Sequence, residues 1–116
     1  MRIHVLVGTD DTAFADAVFA ACERAAEPLG IDLGLSQLSG QAFAVEADGD
    51  TPLILTPVPG TADATAIAAL PAFTVEVQPE NIAAGGGPVA GTNAQIYGLG
   101  MGGYAAALRL IAERVA

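Results

Sequence analysis

The chain has 116 residues, enough for one core and too few for two, and 53% of it is hydrophobic with a mean hydropathy of +0.51. Its formal charge of −9 includes four arginines and no lysine, which excludes a basic nucleic-acid patch, a Schiff-base lysine and a Walker-type phosphate lysine. One cysteine and one histidine cannot build a zinc centre of the usual kind, so neither metal nor cofactor is expected.

No apolar run reaches the roughly 18–20 residues of a membrane span. Met1-Arg2 leads into a short apolar run that ends at Gly8-Thr9-Asp10-Asp11, which does not read as a signal peptide. The expectation is a soluble, cytoplasmic protein, one domain over 1–116, that buries surplus apolar surface between subunits.

In chain order, "RIHVLV" (2–7) reads as a buried strand closed by Gly8. Asp10 or Asp11 can cap a helix over 12–27, which Pro28 and Gly30 stop. Cys22 falls within that helix among alanines and, with no cationic neighbour, reads as a buried inert thiol. "IDLGLSQ" (31–37) alternates as a second strand, and "QAFAVEA" (41–47) is a short helix at best. "PLILTP" (52–57) is a third strand, followed by a loop and a helix over 62–70. "FTVEVQ" (73–78) is a fourth strand, "AGGGPVAGT" (84–92) a glycine-rich loop, and "NAQIYGLG" (93–100) a fifth strand. The tail from 103 to 116 is an amphipathic helix with Leu108, Ile111 and Val115 on its buried face. Strand–helix alternation with apolar strands predicts a parallel sheet covered on both faces, binding ligands beyond the carboxyl ends of its strands.

Gly98, Gly100 and Gly103 fit the spacing G-x-G-x-x-G. A dinucleotide fingerprint also needs a following strand and an acidic residue about 20 positions on, and too few residues follow Gly103 to supply either. Close packing of the fifth strand against the last helix is the simpler use of these glycines. Anion capture at the helix N-terminus is the other.

Four segments in order, "LGIDLGLSQLSGQ" (29–41), "TPLILTPVPGTADATAIAAL" (51–70), "LPAFTVEVQPENIAA" (70–84) and "GLGMGGYAAALRLIAE" (98–113), together resemble the type II 3-dehydroquinate dehydratases. The resemblance implies a flavodoxin-like fold with a five-stranded parallel sheet, and trimers that assemble further into dodecamers. It also implies a lost activity. The tyrosine base and its activating arginine come from a long loop after strand one in that family, and here Gly8 runs through "TDDT" straight into the helix. Thr56 stands in place of the family's water-holding asparagine, and Gln78 in place of its proton-donating histidine. Thr61, Glu76, Asn81 and the turn from Gly98 to Tyr104 are retained, and Glu80 and Asn81 fall in the loop that takes the substrate carboxylate there.

Candidate catalytic residues are therefore Glu76, Asp10 and Asp11, with Thr56, Thr61, Gln78, Glu80 and Asn81 as substrate-binding candidates. Burial of Glu76 would raise its pKa and suit it to acid–base work, unless it is a structural carboxylate. Asp10 and Asp11 lie at the mouth of strand one, where helix capping is the competing role. Asp63 is expected to cap the third helix, and His4 to be a core or interface histidine. Tyr97 alternates with Gln95, so one of the two is expected to face the site. No arginine lies at a predicted strand end, which favours a neutral or basic small molecule over a dianion. Two readings follow: an enzyme with altered acid–base chemistry (dehydration, cyclisation or isomerisation), or a catalytically silent homologue that binds a ligand or forms a structural oligomer.

Overall fold

Alternation along each strand decides which side chains are buried together. In the computed structural model, which describes residues 1–39, 49–58, 63–80 and 91–115, five strands form one parallel sheet. The elements are β1 (Arg2–Gly8), α1 (Thr12–Ala26), β2 (Asp32–Leu38), β3 (Leu53–Thr56), α2 (Ala64–Ala68), β4 (Thr74–Gln78), β5 (Ala94–Tyr97) and α3 (Gly102–Val115). The spatial order is β2-β1-β3-β4-β5, the flavodoxin-like order, and every neighbouring pair is parallel.

One face of the sheet carries Ile3, Val5, Val7, Ile54, Val75 and Val77, packed under Val18 and Cys22 of α1 and Tyr104, Leu108 and Ile111 of α3. The opposite face gathers Leu6, Leu53 and Leu55 against Ile67 of α2 and Ala72. Full burial of a Val, Leu or Ile side chain is worth roughly 1.5–3 kcal/mol, so the central strands β1, β3 and β4 carry most of the apolar stabilisation. Among the described residues the first face has two long helices and the second has only the short α2. No helix of the described residues is long and apolar enough to cross a membrane.

The elements depart from expectation mainly at their ends. β5 stops at Tyr97 instead of running to residue 100, because Gly98 and Gly100 take positive φ (82° and 57°) and turn the chain into α3. Gly103 is held by proximity: a Cβ there would stand 2.9 Å from Val77 Cγ1 and 3.4 Å from Ile96 Cγ2. Strand–helix packing is thus what this glycine serves. Asp63 caps α2 as expected, accepting from the Thr65 and Ala66 amides at 3.0 and 3.2 Å, yet α2 spans only Ala64–Ala68. The short helix expected at 41–47, most of the glycine-rich loop at 84–92 and the side chain of Val115 lie outside the described residues.

Candidate functional site

The order β2-β1-β3 reverses direction at β1, and the crevice beyond β1 and β3 is where such sheets place ligands. β1 ends at Gly8, and the Thr9 amide is tied to Leu38 O at 3.0 Å. The Asp11 amide then donates to Thr9 Oγ1 at 3.1 Å, and Asp11 Oδ1 accepts from the Phe14 amide at 3.2 Å as the N-cap of α1. Asp11 is therefore engaged in holding the helix start, and both Asp10 and Asp11 are exposed.

β4 supplies the buried polar groups. Val75 and Val77 enter the core under α1 and α3, so Thr74, Glu76 and Gln78 line the other face. Glu76 is 1% exposed and Gln78 7%. Gln78 Nε2 donates to Pro57 O at 2.6 Å and to Glu76 Oε2 at 3.2 Å. A proline carbonyl can only accept, so the orientation of this amide is fixed and its donor side faces Glu76. β5 continues the strip, with Gln95 paired to Glu76 and Tyr97 to Gln78. The expectation that only one of Gln95 and Tyr97 faces the site is corrected here. Residues two apart share a face, and both are exposed on that face.

Beyond Gln78, the Gly98 amide donates to the Gln78 and Glu80 carbonyls, each at 3.1 Å, and the Gly100 amide to Pro79 O at 2.8 Å. The exposed Glu80 thus serves the glycine turn through its backbone. Thr61 and Asn81 lie outside the described residues.

Thr56 has a different neighbourhood from Glu76. Its parity in β3 is that of Ile54, on the α1–α3 side of the sheet. The Thr56 hydroxyl donates to Val77 O at 2.7 Å, which leaves Tyr104 Oη as the donor to Thr56 Oγ1 at 2.6 Å. Tyr104 is fully buried, and burial pushes its hydroxyl well above the usual tyrosine range. Sequence reasoning missed this anchor, naming Tyr104 only as the end of the glycine turn, although the parity of Thr56 with Ile54 carried the signal.

The sheet register also separates the candidate carboxylates. Val7 pairs with Thr56 and Leu55 with Glu76, so β1 and β4 stand two strand spacings apart, roughly 10 Å. Glu76 and Gln78 form one unit; Asp10 and Asp11 form another at the end of β1. His4 is half-buried on the α2 side, with Nε2 3.0 Å from Ser36 Oγ.

With this geometry the chain can be compared with known proteins. It is similar to the crystal structure of a 3-dehydroquinate dehydratase-like protein from Bifidobacterium longum, with a TM-score of 0.72 over 100% of this chain and 98% of that one. The fold is dehydroquinase-like. Sequence identity is 22%, so the likeness speaks for the fold, and the chemistry has to be read from the residues. No family model matches the chain, and no curated protein matches it.

Proposed function

We propose that this dehydroquinase-like chain is a small-molecule enzyme working by acid–base chemistry at the carboxyl ends of its strands, with Glu76 as the proton-transfer group. The observation that carries the reading is a carboxylate 1% exposed in a central strand, faced by an amide that is itself fixed on Pro57 O. Taking a carboxylate out of water is costly, and buried carboxyl groups oriented by a second residue are a recurrent means of proton transfer. Dehydration, cyclisation or isomerisation of a metabolite fits one such group. Asp10 and Asp11 would act at the opposite side of the crevice, on a ligand long enough to span it.

The substrate we infer is neutral or basic. Arg2 opens β1, Arg24 and Arg114 lie in the last turns of α1 and α3, and Arg109 lines a groove with Pro28 and Leu29. All four arginines therefore sit toward the amino ends of the strands, far from a dianion bound at the carboxyl ends. Dehydration of 3-dehydroquinate is not the proposed reaction. Gln78, at the position of the family's histidine, has an amide that does not titrate, and the Thr56 hydroxyl is committed to Val77 O and Tyr104.

Incubation with 3-dehydroquinate is expected to give no rise in enone absorbance; a clear rise contradicts the exclusion. A panel of neutral and amine metabolites, screened by thermal shift and then turnover, should yield a substrate whose conversion falls about 10²–10⁴-fold in Glu76→Gln. The variant should keep its circular dichroism spectrum. Unfolding of Glu76→Gln would instead make Glu76 a structural carboxylate.

The second reading, a catalytically silent homologue, is favoured by the structural use of Asp11 and Thr56. It predicts ligand binding that Glu76→Gln weakens without any turnover to lose. In either reading we infer a cytoplasmic homo-oligomer built on trimers, up to a dodecamer. Support comes from the exposed apolar side chains Val58, Tyr97 and Leu99.

A further inference from the structure

β2 is the outer strand of the sheet, and among the described residues no strand pairs with its outer edge. The Asp32 amide donates to Met1 O, and the Thr9 amide donates to Leu38 O. In a parallel ladder this parity turns the N–H and C=O groups of Asp32, Gly34, Ser36 and Leu38 toward β1, and those of Leu33, Leu35 and Gln37 outward. The strand runs for 7 residues without proline, lysine or a bulge in its pairing with β1, the devices that commonly blunt an exposed edge. Beside it, between β2 and α1, lies an open groove of about 340 Å³ lined by Glu23, Glu27, Asp32, Leu33 and Leu35. No cation lines that groove. Arg2 lies across Gly34, on the opposite face of the sheet.

We propose that this edge is a docking site for an extended basic segment of a partner protein, which adds a sixth strand beside β2. The backbone of the segment pairs with Leu33, Leu35 and Gln37, which gives affinity without sequence selection. Selection comes from the groove. An arginine on the α1 side of the added strand lays its aliphatic stem over Leu33 and Leu35 and brings its guanidinium to Glu23 or Glu27. A second copy of this chain is disfavoured as the occupant. Pairing β2 with β2 would bring two grooves, each edged by Glu23 and Glu27, together in a chain of charge −9. This site is remote from Glu76 and does not depend on the proposed catalytic reading.

The test is fluorescence anisotropy of a labelled, end-capped peptide alternating arginine and valine over the length of β2, titrated with the intact chain. Saturable binding is expected, weakening as salt is raised to about 1 M, where the screening length falls to about 3 Å. Two further peptides carry N-methyl groups on alternate residues, one in each phase. The phase whose amides face β2 should bind about tenfold more weakly or worse, and the other should bind nearly as the parent does. Glu23→Gln combined with Glu27→Gln should weaken the parent peptide. Gln37→Pro should do the same, since it removes an outward amide that the ladder with β1 does not use. Equal binding of both N-methylated peptides, equal binding of a glutamate–valine peptide, or no saturable binding overturns the proposal. The peptide phases keep the test decisive even where Gln37→Pro fails to fold.

Discussion

Three buried side chains under α1 and α3 show how single residues limit this protein. Thr56, Tyr104 and Cys22 lie on one side of the sheet, with Tyr104 and Cys22 fully buried. Burial pushes the Cys22 thiol from 9.0 up to about 12, with Glu23 adding to the effect, and moves the Tyr104 hydroxyl up as well. Both groups are neutral when protonated, and folding favours that form. The unfolded chain releases these protons first, so the stability linked to Cys22 is intact below about pH 9 and is lost as pH rises toward about 12. Three pKa units correspond to a ceiling on the order of 4 kcal/mol. Urea midpoints measured from pH 8 to 12 should therefore fall steeply for the natural chain and less steeply for Cys22→Ala. Parallel curves for the two proteins would remove Cys22 from the account.

Among elements, the junction of β5 with α3 is the most tightly specified. Gly103 faces Val77, whose β-branched side chain is fully buried and has little rotamer freedom. Gly103→Ala gains up to about 1 kcal/mol of helix propensity but forces a methyl against Val77 Cγ1, an overpacking cost of about 1–3 kcal/mol. The net expectation is a Tm lower by several degrees, since about 1 kcal/mol shifts a domain of this size by roughly 4–8 °C. A Tm equal to or above that of the natural chain would show that Val77 yields easily. The same junction marks what the sequence could tell. Alternation in "RIHVLV" and "FTVEVQ" and the "GLGMGGY" turn identified the strands and a dehydroquinase-like fold, because these signals are local. The end of β5 was less legible, since Gly98 reads equally well as strand or turn until its φ is known. The site was less legible still. Which carboxylates meet depends on strand order and register, so the separation of Asp10 from Glu76 and the partnership of Thr56 with Tyr104 required the folded sheet.

On the scale of the whole molecule, charge and apolar exposure oppose each other in assembly. Each chain carries a formal charge of −9, so the proposed trimer would concentrate a large like charge that resists association at low salt. Against this stand Val58, Tyr97 and Leu99, which are 40%, 40% and 59% exposed around the ends of β3 and β5. Burying such side chains is worth roughly 25 cal/mol per Å² of apolar area, a contribution that salt does not screen. Coulomb repulsion between surface charges, by contrast, weakens as the screening length drops from about 30 Å at 0.01 M to about 10 Å at 0.1 M. Light scattering should therefore give a mass nearer the 11.5 kDa chain at 0.01 M salt and a trimer or a multiple of it at 0.15 M and above. Leu99→Asp, which adds a charge to that patch, should move the transition to higher salt. A mass that stays monomeric at every salt concentration rules out the oligomer and leaves the patch to other partners. A trimer indifferent to salt would mean that the interface excludes the acidic surface altogether.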